Sequence, residues 1–103
     1  MEIKIQSLHF KANNLLEEFV QKKVSKLSHL NKAIVMGEVC LKLDKSKKLD
    51  NKVCEIRLSI PGNDLFAKRQ CKTFEEATIE TIEALQQQLR KTKNLLRNKR
   101  HAK

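Results

Sequence analysis

The sequence predicts an α+β fold, a two-layer sandwich of order βαβββα with both helices packed on one face of a four-stranded sheet. Four short segments alternate apolar and polar residues, which is the period of a half-buried strand. Two longer segments repeat apolar residues at helical spacing. A chain of 103 residues has room for one such core. We therefore expect one domain over residues 1–97, followed by a basic C-terminal tail over residues 98–103.

The first strand and the first helix are predicted from the N-terminal third of the chain. The residues from Ile3 to Gln6 alternate apolar and polar. Asn13 or Asn14 can then cap a helix, because an asparagine side-chain oxygen accepts a free backbone N–H. We expect this helix over residues 14–29. Its apolar stripe consists of Leu16, Phe19, Val20, Val24 and Leu27.

Three further strands are expected in the middle of the chain, over Ile34–Leu43, Val53–Ile60 and Leu65–Lys72. A polar segment over residues 44–52 predicts an exposed hairpin loop, and Pro61 to Asp64 predicts a turn. Short connections favour an antiparallel meander for these three strands. The first strand is joined through a helix, so it can pair in parallel with a neighbour.

A second, longer helix is predicted after Thr73. Thr73 and Glu76 have the spacing of a capping box, in which each side chain bonds the other residue's backbone N–H. The apolar stripe continues to Leu96, so the helix is expected to end near residue 97. At ~1.5 Å per residue it is ~36 Å long and overhangs the sheet. Its last turns must then be exposed or lie against a partner.

Charge is distributed unevenly along this second helix. The chain has 22 Lys and Arg against 12 Asp and Glu, a net charge of +10. No acidic residue follows Glu83. The cations beyond it are Arg90, Lys91, Lys93, Arg97, Lys99, Arg100 and Lys103. Complementarity with the helix dipole, worth about 0.3–1 kcal/mol per charge, explains the last turn only. A run of cations that repel one another favours a polyanionic partner over a solvated tail.

A second basic cluster, Lys22, Lys23 and Lys26, lies on the first helix and could border a groove with the first cluster. An ordinary solvated helix face is the competing interpretation. Two rigid basic edges suit the phosphates of folded RNA, where shape and backbone contacts dominate recognition. The chain has four Phe and no Trp or Tyr. Base stacking on an aromatic platform is therefore poorly supported.

Enzymatic, metal-binding and membrane functions find no support in the sequence. Cys40, Cys54 and Cys71 are odd in number and lie too far apart for a zinc knuckle. The histidines show no nucleophile or metal spacing, and a glycine-rich phosphate loop is lacking. We expect no catalytic residues, no cofactor, no metal and no small-molecule substrate. No segment reads as a signal peptide or a membrane span, which favours a soluble cytoplasmic protein.

Three segments resemble the short form of the ribosome hibernation promoting factor family, which includes the ribosome-associated inhibitor and the sigma-factor modulators. The first is the strand that begins at Ile3. The second is the helix from Glu18 to Leu27, with its Lys-x-x-Lys-Leu ending. The third runs from Ile82 to Lys93, an apolar helix that ends in Gln-Leu-x-Lys-x-Lys. The likeness covers roughly residues 1–95. The chain departs from the family's Tyr-Ala-Ala near the start of the last helix, where it has Phe74-Glu75-Glu76-Ala77.

The resemblance implies a βαβββα domain that binds ribosomal RNA between the head and body of the small subunit. There it would overlap the sites of messenger and transfer RNA and block translation during starvation. We expect a monomer when free, without the C-terminal dimerisation domain of long-form members. By the resemblance, the phosphate contacts are Lys23, Lys26, Arg90, Lys91 and Lys93, with Lys22, Gln87 and Arg97 as neighbours.

Two other functions stay open from the sequence. A double-stranded RNA-binding module also packs two helices on a three-stranded sheet, but usually begins with a helix. A regulatory factor acting on transcription fits the older family name, although no feature of the sequence recommends it. The lysine-rich loop from Lys45 to Lys52 receives no function.

Overall fold

The computed structural model describes residues 1–45 and 49–101, with side chains in this part up to residue 91. It has the predicted order of elements. These are β1 at Glu2–Leu8, α1 at Asn14–Ser25, a 3₁₀ turn at Lys26–His29, β2 at Met36–Leu43, β3 at Lys52–Ser59, β4 at Leu65–Cys71 and α2 at Phe74–His101.

The four strands form one sheet in the order β1-β2-β3-β4. β1 pairs in parallel with β2, where Ile5 lies opposite Val39. β2, β3 and β4 form an antiparallel meander, in which Ile56 lies opposite both Val39 and Ala67. The predicted parallel pairing and the predicted meander are therefore both confirmed.

Both helices cover the same face of the sheet, as predicted. Fully or nearly fully buried side chains from α1, the sheet and α2 form a single cluster: Val20, Val24, Leu27, Val39, Leu41, Ile56, Leu58, Ala77, Leu85 and Leu89. Each large aliphatic side chain buried in this way contributes about 1.5–3 kcal/mol. The α+β sandwich is thus held by one core between two layers.

Several predicted ends differ from the observed ones. The strand predicted from Ile34 begins at Met36, although the Val35 N–H already donates to the Ser59 carbonyl at 2.9 Å. The helix predicted over residues 14–29 is α-helical to Ser25 and continues as a 3₁₀ turn. The second helix extends to His101 instead of ending near residue 97. Whether a tail begins at residue 98 stays a prediction, as does the assignment of residues 1–97 to one functional domain.

Two side-chain caps fix where the helices begin. The Asn13 Oδ1 accepts the Leu16 backbone N–H at 2.8 Å, which makes Asn13 rather than Asn14 the cap of α1. The Thr73 Oγ1 accepts the Glu76 N–H at 3.1 Å at the start of α2. Each cap satisfies a backbone donor that has no partner inside the helix.

Buried threonines fasten α2 to the sheet. The hydroxyls of Thr78 and Thr81 are fully buried and donate to carbonyls one turn back, each at 2.7 Å. The Thr81 hydroxyl also lies 3.2 Å from the Cys54 carbonyl on β3. These polar interruptions of the apolar stripe are therefore satisfied, and Thr81 fixes how far α2 is shifted along the sheet.

Replacing Asn13 with alanine should lower the free energy of unfolding by about 1 kcal/mol, within a range of 0.5–2 kcal/mol. The change leaves the Leu16 N–H without its side-chain acceptor. Asn14→Ala is the matched control, because Asn14 follows the cap and should change stability much less. Urea unfolding followed by circular dichroism measures both variants. Equal losses in the two would contradict the assignment of the cap.

Candidate nucleic-acid interface

The two helices run in the same direction, so that their C-terminal halves lie at the same end of the molecule. α1 connects two parallel strands and must run antiparallel to both. α2 returns along β4, because the Cys71 thiol bonds Glu80 and the Gln88 amide bonds the Phe66 carbonyl. β4 has the same direction as β2, since two antiparallel steps separate them. The C-terminal ends of the two helices therefore point the same way, and the longer α2 continues beyond the end of α1.

A groove of about 250 Å³ lies between the C-terminal end of α1 and residues 79–86 of α2. α1 and its 3₁₀ extension contribute one wall of cations, and α2 contributes both apolar and polar side chains. The lining residues are Lys23, Lys26, Ile79, Ile82, Glu83 and Gln86. The groove thus contains two cations of the first predicted cluster, Lys23 and Lys26, and none of the second cluster, which begins one turn further along α2 at Arg90.

The lysines of α1 differ in their surroundings. Lys23 is half-buried, and its ammonium lies 5.7 Å from the centre of the Phe19 ring, a cation–π contact that restrains it. Lys26 and Lys22 are exposed. Lys26 opens the 3₁₀ turn, whereas Lys22 does not line the groove. Lys23 and Lys26 are therefore the groove's cations on this side.

On α2, helical spacing divides the predicted residues between two stripes. Arg90 follows Gln86 by one turn and continues the stripe that lines the groove. Gln87 and Lys91 are exposed and lie on the neighbouring stripe, outside the groove lining. The side chains of Lys93 and Arg97 lie outside the described residues. All eight residues stay predictions as RNA contacts.

Sequence reasoning missed four side chains of the groove: Ile79, Ile82, Glu83 and Gln86. Ile79 is a large apolar residue that is 41% exposed. The signal was present in the spacing, because residues 79, 83, 86 and 90 are three or four apart and share one helix face. That face could not be recognised as a groove without knowing that α1 lies next to it.

The opposite face of the sheet is polar, and its charges are balanced locally. The Lys42 ammonium lies 2.7 Å from a Glu55 carboxylate oxygen, and this bond raises the pKa of Lys42. Arg57 lies 6.0 Å from the centre of the exposed Phe66 ring. In the register of the sheet, Glu38 has Lys4 on one side and Arg57 on the other. This face is therefore a poorer site for a polyanion than the helix end.

The cysteines are free thiols, and each lies in a strand. Burial raises the pKa of Cys54 to about 11. Burial, reinforced by a 2.6 Å bond from the Cys71 thiol to the Glu80 carboxylate, raises the pKa of Cys71 to about 12. The pKa of Cys40 is also raised, by burial and then by Glu55. The described residues contain no group of His, Cys, Asp and Glu that could hold a metal ion.

Solved structures with the same fold place the protein in a class of small α+β proteins. A ribosomal subunit interface protein from Coxiella burnetii is 19% identical, with a TM-score of 0.81, over 91% of this chain and 99% of that one. The N-terminal domain of Protein Y from Thermus thermophilus is also 19% identical, with a TM-score of 0.77, over 89% of this chain and 99% of that one. No match is found among curated proteins.

The family model described as sigma 54 modulation protein / S30EA ribosomal protein matches residues 3–97. The chain belongs to this family, as the resemblance implied. Its members are binding factors and not enzymes. Within the described residues, neither helix is both long and apolar enough to span a bilayer.

We expect the free energy of unfolding to fall as pH rises above about 9. In the unfolded chain Cys54 and Cys71 lose their protons near the ordinary thiol pKa of 9.0, whereas in the folded protein they keep them to about pH 11 and 12. The unfolded state then binds fewer protons, so alkali favours it by up to about 1.4 kcal/mol per pH unit for each thiol.

Urea unfolding between pH 8 and pH 11 measures this decline. The double variant Cys54→Ala, Cys71→Ala should show a shallower decline, whatever its stability at pH 8. An unchanged slope in the double variant would mean that other groups cause the alkaline loss.

Proposed function

We propose that this protein holds ribosomes inactive by binding small-subunit ribosomal RNA in the channel that messenger and transfer RNA otherwise occupy. The observation that carries the proposal is the groove at the helix end, where Lys23 and Lys26 face α2 just before Arg90. Membership of a family described as ribosomal protein supports it. So does the shared fold with a protein described as a ribosomal subunit interface protein.

The charge of the groove edges explains why RNA would be the partner. Clustered cations repel one another, and a polyanion that displaces their counterions relieves this repulsion and gains free energy from the released ions. Folded RNA presents phosphates from two backbones at fixed separations, which two rigid helix edges can contact together. The protein would act by occupying the site as a monomer in the cytoplasm, without a cofactor or a small-molecule substrate.

The position of β1 bears on the alternative of a general double-stranded RNA-binding module. β1 is a full member of the sheet, paired along its length with β2, whereas such modules usually begin with a helix. A competition assay between small subunits and a plain RNA duplex separates the two functions. Preference for the duplex would favour the general module. A separate pull-down that recovers transcription proteins without ribosomal proteins would favour a transcription regulator.

Binding to small subunits should weaken steeply with salt. If the protein neutralises ~6–8 phosphates, the logarithm of the binding constant should fall with the logarithm of salt concentration with a slope of about −4 to −7. Co-sedimentation over a range of potassium concentrations measures this slope. A slope near zero would contradict a phosphate-binding surface.

Replacing Arg90, Lys91 and Lys93 with glutamate should abolish binding to small subunits, because three cations become anions at the phosphate contacts. Circular dichroism should show an unchanged fold, since Arg90 and Lys91 are exposed. Tight binding by the triple variant would remove these residues from the site.

The double variant Lys23→Gln, Lys26→Gln should bind about 25- to 60-fold more weakly at 0.1 M salt, with a salt slope smaller by about 1.5. Lys4→Gln, Lys68→Gln is the matched control. It removes the same charge from the opposite sheet face, and neither residue lines the groove. Equal losses in the two variants would show that net charge, and not the groove, controls binding.

A further inference from the structure

Glu83 is the one acidic side chain in the lining of a groove whose other charged residues are lysines. It lines the cavity between α1 and α2 together with Lys23 and Lys26. Among the described side chains the only ion pair is that of Lys42 with Glu55, on the opposite face of the sheet. The Glu83 carboxylate is therefore close to cations without being bonded to them.

Helix stability does not explain the position of Glu83. It lies beyond the first turn of α2, where the helix dipole no longer favours an acid. Its neighbours three and four residues away are Ile79, Glu80, Gln86 and Gln87, none of which is a cation. In a surface that bound phosphates alone, a carboxylate would only weaken binding through repulsion.

We propose that the groove takes up a single guanine base from a single-stranded segment of the RNA, and that Glu83 recognises it. This inference rests on the proposed function for the RNA that supplies the base. Sequence-specific recognition of RNA mostly uses unstacked bases, which are held by their faces and read along their Watson–Crick edges. Glu83 makes the groove a site for an RNA base as well as for the RNA phosphate backbone.

The size and lining of the groove fit this occupant. Its volume of about 250 Å³ is below the roughly 300–1,000 Å³ of pockets for drug-sized ligands, which suits one nucleobase. The half-exposed Ile79 and the buried Ile82 offer an apolar surface to the face of a base. Lys23 and Lys26 stand on the other side, where the phosphates next to the base would lie.

The chemistry of the carboxylate selects guanine. A carboxylate has two acceptor oxygens and no donor, so it pairs best with two neighbouring donors. Guanine presents such a pair on its Watson–Crick edge, the ring N1–H and the exocyclic amino group. Adenine and cytosine have an amino donor next to a ring acceptor, and uracil has a single donor between two carbonyls. These three bases leave one carboxylate oxygen facing an acceptor.

The first experiment measures the base preference without the ribosome. Fluorescence anisotropy at low salt compares heptamers of uridine whose central residue is guanosine, inosine, adenosine or uridine. The guanosine heptamer should bind about 5- to 100-fold more tightly than those with adenosine or uridine. Inosine, which lacks the exocyclic amino group, should fall between them. Equal binding of the four heptamers, or no binding of any, would overturn the proposal.

The second experiment compares Glu83→Gln with Glu75→Gln. Both remove one negative charge from an exposed position on α2, but Glu75 lies outside this groove. Glu83→Gln should lose the preference for guanosine and bind small subunits several-fold more weakly, despite the gain in positive charge. Its salt slope should equal that of the unchanged protein, because no phosphate contact is lost. Glu75→Gln should keep the preference.

The two proposals fail in different ways. Tighter binding of small subunits by Glu83→Gln would show that Glu83 only repels phosphates, which overturns the guanine site and leaves the proposed function standing. A clear preference for the guanosine heptamer without binding to small subunits would support the guanine site and overturn the proposed function. Thermal unfolding of both variants checks that neither change disturbs the fold.

Discussion

β1 and β2 pair in parallel, and parallel neighbours cannot be joined by a hairpin. Between β1 and β2 the chain must return to the end of the sheet where β1 starts. Helix α1 makes this return. The direction of α1 is fixed by this pairing, and the meander that follows fixes the direction of α2. The shared core of Val24, Leu58 and Leu85 then holds the two helices side by side. The parallel pair therefore determines that α1 and α2 run in the same direction, with Lys23 and Lys26 beside residues 79–86 of α2.

This arrangement separates two kinds of charged surface. On the open face of the sheet, opposite charges on neighbouring strands offset one another, as in the pair formed by Lys42 and Glu55. At the helix end, Lys23, Lys26 and Arg90 have no such partners among the described side chains. A polyanion gains more from the second surface, because it need not break ion pairs to bind there. The fold itself thus gives the molecule one side whose cations are not paired with acids among the described side chains.

The groove combines groups that contribute differently to recognition. Cations attract any nucleic acid, and their contribution is sensitive to salt and insensitive to sequence. An apolar floor with a carboxylate and an amide is sensitive to which base is presented. Glu83 lines the same groove as Lys23 and Lys26, so a base would be recognised next to the cations that hold the RNA backbone. Affinity and selectivity would then arise from residues that lie across one groove from each other, on α1 and its 3₁₀ turn and on α2.

Most of the fold could be predicted because its signals are local. Alternation and helical spacing indicated every strand and helix, and the side chains of Asn13 and Thr73 marked where the helices begin. The C-terminal ends of the helices were not specified by such local signals. The 3₁₀ turn after Ser25 and the extension of α2 to His101 depend on the surrounding structure and not on a capping residue. The raised pKa values of Cys54 and Cys71 could not be predicted, because burial is a property of the folded chain.

The sequence by itself determined the elements, the excess of positive charge and the two helix segments that carry it, because each of these depends on neighbours along the chain. Only the tertiary structure decided that Lys23 and Lys26 lie across a groove from α2, one turn before the basic segment of that helix begins at Arg90. It also decided that Gln86 and Glu83, rather than Gln87, line that groove. The physical reason is that a groove is made by two helices, and the rotation of each about its axis is set by the core it buries. No pattern within one helix specifies what lies opposite it.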